Sequence, residues 1–83
     1  MGVERHTIWS YETVKESRHG PELGRYLTYG LRAWRKTEAG GEEVDFIPDV
    51  TTQPRFAELL AELFNRCQLS PLHFREVLED MLP

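Results

Sequence analysis

The spacing of apolar residues changes once along this chain, near residue 50, from a repeat of about two to a repeat of about 3.6. That switch constrains the fold more than any motif does. Strands must come first and helices second, so an α+β arrangement follows before any single residue is considered. The 83 residues are enough for one domain, 1–83, and too few for two. Stability on the order of 4–12 kcal/mol is expected for this length. A single cysteine offers no intramolecular disulfide to add to it.

Residues 6–14, "HTIWSYETV", carry the β-branched and aromatic content of a strand, with Trp9 and Tyr11 on one face and Ile8 and Val14 on the other. Residues 15–24 hold a Gly-Pro step and four charges, and read as a loop. Residues 25–36, "RYLTYGLRAWRK", alternate most clearly: Leu27, Tyr29, Leu31 and Ala33 against Tyr26, Thr28, Arg32, Trp34 and Lys36. A hairpin connection at 37–43, with Gly-Gly at its tip, leads to a third strand at 44–50. Pro48 should end that strand or hold it to a sheet edge.

Beyond it, Thr51 and Thr52 offer caps and Pro54 suits a first helical turn. Phe56, Leu59, Leu60, Leu63, Phe64 and Cys67 then form one apolar stripe, with Glu58, Glu62, Asn65 and Arg66 opposite. Ser70-Pro71 restarts the pattern, and Phe74, Val77, Leu78, Met81 and Leu82 make a second stripe. The expected fold is a three-stranded antiparallel meander with a C-terminal αα-hairpin on one face, in the order βββαα.

Several functions lose ground on composition. The net charge of −4 divides unevenly, near +2 over residues 1–41 and −6 over 42–83. An acidic half repels phosphate backbones, so nucleic acid is an unfavoured partner. No apolar run approaches the ~20 residues of a membrane span. No apolar stretch follows Met1, so no signal peptide is expected, and a lone thiol fits a reducing, cytoplasmic setting. No glycine-rich phosphate loop, nucleophile elbow or paired-cysteine metal signature is present. No cofactor or metal is expected, and the chain reads as a non-enzyme.

Two constellations remain. Cys67 and His73 lie six positions apart around the helix–helix turn and would suit a small enzyme or metal site if they converged. The helical stripe instead makes Cys67 a buried apolar filler, and His73 a half-exposed residue of a helix start. The second constellation is aromatic. Trp9, Tyr11, Tyr26 and Trp34, with Arg32, exceed what two short helices can cover on one sheet face. Uncovered aromatic surface on so small a protein marks an interface, either with a second copy as a homodimer or with another protein. The bases Arg25, Arg32, Arg35 and Lys36 among these aromatics leave a nucleic-acid platform as an alternative. The favoured reading is a non-enzymatic cytoplasmic interaction or regulatory module.

The Tyr29-Gly30-Leu31 step on the second strand, Ile47-Pro48-Asp49-Val50 before the first helix and Leu69-Ser70-Pro71-Leu72-His73 at the turn form an ordered set. Over residues 25–82 this set resembles a family of small uncharacterised bacterial proteins. In that family a Y-G-I/L strand motif, an I-x-D-I-S-like helix start and an L-S-P-x-H-x-x-D-V-x-x-D-F/L ending occur. Glu76 stands before Val77 where the family has Asp, and Met81 replaces an aromatic. The resemblance implies no activity.

Overall fold

The computed structural model describes residues 8–82. Three antiparallel strands, β1 (Trp9–Gly20), β2 (Gly24–Thr37) and β3 (Gly40–Thr51), lie side by side in that order. Helix α1 (Pro54–Cys67), a 3₁₀ turn (Pro71–His73) and helix α2 (Phe74–Met81) follow. The helices pack on one face of the sheet, giving the α+β arrangement that the change of period predicts.

The strands are longer than the sequence suggests. β1 runs on through residues 15–20, which the charge content marks as loop, and pairs with β2 from Trp9↔Arg35 to Gly20↔Gly24. Only residues 21–23 turn, helped by Gly24 at φ +68°. The reason is that β3 stops pairing at Tyr29↔Thr51, so residues 17–27 form a two-stranded ribbon whose helix-side residues Ser17, His19, Arg25 and Leu27 are exposed, while Thr28 at its base is buried. Such a ribbon needs no apolar alternation, so its sequence carries none. His6 and Thr7, placed in the first strand by the sequence, lie outside the described residues. The second connection also tightens, to Glu38 and Ala39, with Gly40 (φ +128°) and Gly41 inside β3 rather than at the tip.

Pro48 sits within β3, where an edge position makes its missing N–H harmless. The β2–β3 register shifts between Tyr29 and Leu31. Gly30 lies at that irregularity, and a Cβ there would stand 2.6 Å from the Ile47 carbonyl oxygen and 2.9 Å from Pro48 Cα. The absence of a side chain is what lets β3 cross so closely.

Tyr11, Leu31 and Ala33 from the sheet meet Leu60, Ala61 and Phe64 of α1 and Phe74 and Leu78 of α2 in one core. Three rings form its centre: Tyr11 lies 5.4 Å from Phe64 and 5.1 Å from Phe74, and Phe64 lies 6.0 Å from Phe74, all edge to face. The buried side of α1 is Ala57, Leu60, Ala61 and Phe64. This corrects the expected stripe, since Leu59 and Leu63 are 46% and 40% exposed. Alanine side chains permit the closest approach to the sheet, and that rotates the contact away from the larger leucines.

The helix ends also differ from expectation. Gln53 occupies the cap position of α1 without a side-chain bond, while Thr51 Oγ1 accepts from Gln53 N–H at 3.1 Å. Ser70 caps the 3₁₀ turn, with Leu72 N–H donating to its Oγ at 3.3 Å, and α2 begins only at Phe74.

Candidate interaction surface

Cross-strand pairing sorts the sheet residues by face. Tyr11↔Ala33 and Thr13↔Leu31 look toward the helices; Ser10↔Trp34, Glu12↔Arg32 and Arg32↔Phe46 look away. The aromatic residues expected to form one interface are therefore divided. Tyr11 is buried in the core at 3% exposure, and its hydroxyl donates to the Leu69 carbonyl at 2.7 Å. Burial, with the thiol of Cys67 and the carboxylate of Asp45 adding to it, pushes its pKa up to about 12. Trp9 is half-buried against the same core. Neither residue belongs to an open aromatic patch.

Arg32 and Trp34 do remain on the uncovered face, and they are organised. The Arg32 guanidinium carbon lies 5.7 Å from the Trp34 ring centroid and 5.3 Å from that of Phe46. Its Nε is 2.7 Å from Glu43 Oε1, and its Nη1 donates to Glu12 Oε1 at 3.2 Å. The Trp34 indole N–H donates to the same Glu12 oxygen at 3.0 Å. The result is a preformed cluster of one cation between two rings, with a carboxylate on each neighbouring strand. Tyr26 lies on this face too, with its ring edge 3.4 Å from where a Gly20 Cβ would be. It stands eight residues along β2 from Trp34, roughly 26 Å at ~3.3 Å per residue, so the two are separate features.

Phe46, Glu12 and Glu43 were not singled out from the sequence. The strand pairing would have found them, because residues opposite Arg32 on both neighbours must share its face. The bases proposed for nucleic acid are largely engaged: Arg32 as above, and Arg35 through its Nη2 to Glu42 at 2.9 Å. Arg25 is exposed on the ribbon.

Cys67 is exposed rather than buried, which corrects the stripe assignment. Its position follows from the same rotation of α1 that exposes Leu63. His73 is exposed at the end of the 3₁₀ turn. Among the described residues no group of three or more His, Cys, Asp or Glu is placed to hold a metal ion.

Two polar side chains at the C-terminal end of α1, Asn65 and the cap residue Gln68, have a role that helical periodicity hid. Asn65 Oδ1 accepts from Tyr11 N–H at 2.7 Å, and Asn65 Nδ2 donates to Tyr11 C=O at 3.0 Å. Gln68 does the same one turn later, accepting from Trp9 N–H and donating to Trp9 C=O, both at 3.0 Å. The two amides imitate a neighbouring strand and close the outer edge of β1 beside the helix. On the opposite edge, Arg75 reaches Asp45 Oδ1 at 2.7 Å and the Phe46 carbonyl at 3.4 Å. The bond to Asp45 and its charge raise the Arg75 pKa above its ordinary value.

These features define a small α+β protein: a three-stranded sheet with helices on one face and an organised Arg–aromatic cluster on the other. The chain belongs to a family of unknown function, DUF6514, whose family model matches residues 2–83. Comparison with curated proteins and with solved structures gives no match. Among the described residues no helix is long and apolar enough to cross a membrane.

Proposed function

We propose that this protein is a non-enzymatic interaction module of the cytoplasm, and that it binds a protein partner through the uncovered sheet face. The observation that supports this is the stacking of Arg32 between Trp34 and Phe46 on a face that carries no helix. Arg and Trp are the residue types that dominate binding energy at protein interfaces. Here they are held in place before any partner arrives, by Glu12 and Glu43. Preorganisation of this kind lowers the entropy lost on binding.

The test is affinity capture from native cell extract with the wild type and with a double variant, Arg32→Ala plus Trp34→Ala, matched for helix content by circular dichroism. The wild type should retain a specific protein that the folded double variant releases. Equal retention by both, or no specific retention by the wild type, overturns the reading.

A further inference from the structure

We infer that two copies of this chain pair through residues 13–19 of β1, joining their sheets edge to edge about a twofold axis at Ser17. Lys36 N–H donates to Ile8 C=O at 2.8 Å, so even-numbered residues of β1 turn their polar groups toward β2. Odd-numbered residues turn theirs outward, which is why Asn65 and Gln68 meet Tyr11 and Trp9. The next outward groups belong to Thr13, Lys15, Ser17 and His19. Among the described residues none of them receives a helix side chain or a strand.

The remaining edges are guarded in specific ways. β3 has Arg75 on the Phe46 carbonyl and Pro48 without an N–H. The start of β1 has its two amide clamps. Beyond Tyr29 the sheet narrows to two strands, an arrangement that is marginal in water unless further strands or a helix join it. Lys15, Ser17, His19 and Leu27, on the helix side of this ribbon, are all exposed. Added strands would supply what the fold leaves out.

Charge selects a second copy as the occupant and fixes its register. In the run Lys15-Glu16-Ser17-Arg18, Ser17 is the uncharged residue. A twofold axis at Lys15, Glu16 or Arg18 would set a charge against itself. An axis at Val14 would oppose Glu12 to Glu16. An axis at Ser17 places Glu16 of each copy opposite Arg18 of the other. These two residues already lie on one face, with Arg18 Nη2 3.7 Å from Glu16 Oε1. Pairing therefore converts two loose ion pairs into an alternating square of four charges. Backbone bonds form at Ser17 with Ser17 and at Lys15 with His19 of the second copy. Pairing ends where Thr13 meets Pro21, which has no N–H to donate.

This pairing does not rest on the Arg32–Trp34 surface, and its test separates the two. Sedimentation of the full chain across micromolar to millimolar concentration should show a monomer–dimer equilibrium. Arg18→Glu should raise the dissociation constant about tenfold or more, and adding Glu16→Arg to it should restore pairing. Ser17→Pro removes only an outward donor, so it should abolish the dimer while circular dichroism stays unchanged. Trp34→Ala should leave the dimer intact. A wild type that is monomeric at millimolar concentration overturns the inference. So does a dimer indifferent to Ser17→Pro, or a charge swap that fails to rescue.

Discussion

Asn65 provides the sharpest test of how this fold is held. Replacing it with Ala removes the acceptor of Tyr11 N–H and the donor to Tyr11 C=O at 2.7 and 3.0 Å. Each bond contributes about 0.5–1.5 kcal/mol net, and a backbone group left unpaired where water is partly excluded costs about 1–3 kcal/mol. A loss of about 2–4 kcal/mol follows, a large share of the ~4–12 kcal/mol expected for the whole chain. The midpoint of thermal unfolding should fall by roughly 10–30 °C at ~4–8 °C per kcal/mol. Urea unfolding of Asn65→Ala beside Glu62→Ala measures this, because Glu62 lies exposed on the same helix and should change stability by no more than about 0.5 kcal/mol. Hydrogen exchange at the Tyr11 amide supplies a local readout and should accelerate in the Asn65 variant. If the two variants unfold within about 0.5 kcal/mol of each other, the amide clamp is not a structural element, and the account of the β1 edge fails.

Three further outcomes are expected. Tyr11 has a folded pKa of about 12 against an ordinary 10, so its contribution is fully present below pH 10 and is lost as pH rises through 12. The stability gap between wild type and Tyr11→Phe, measured by urea unfolding, should shrink by about 3 kcal/mol over that window, at ~1.36 kcal/mol per unit. A constant gap would refute the assignment. Cys67 is exposed, so a thiol reagent should label the folded protein within about tenfold of the unfolded rate; strong protection would contradict the placement. Gly30→Ala should cost about 3 kcal/mol in denaturant unfolding, because its Cβ would strike backbone of β3 rather than a yielding side chain. A neutral result would mean that β3 can shift freely.

The element types and their order were legible because burial imposes periodicity, and periodicity changes once. The β2 alternation, the core roles of Leu31, Ala33, Leu60, Phe64, Phe74 and Leu78, and the helix–helix turn all follow from it. What escaped had two causes. Segments without a covered face, such as 15–20, carry no alternation to read, so their charges suggested a loop. Helical projection also gives the width of an apolar arc but not which part of it is pressed on the sheet. That choice, made by Ala57 and Ala61, exposed Leu63 and Cys67 and brought Asn65 to Tyr11. Arg32 and Trp34 are legible as surface residues because the alternation of residues 25–36 sets them opposite the apolar row. Their partners Glu12, Glu43 and Phe46 required the strand register.

The amide clamps have a consequence for the order in which the chain can be made. Tyr11 and Asn65 are 54 residues apart, and Trp9 and Gln68 are 59 apart. During synthesis the β1–β2 hairpin can close as soon as its own residues emerge, since that loop is short. Its outer edge stays unlocked until Asn65 and Gln68 have also left the ribosome. Over that interval the nascent hairpin presents an open strand along its full length, a state prone to pairing with neighbours. Ribosomes crowded on one message would therefore bring such edges together early, before α1 exists to restrict which stretch of β1 can be reached.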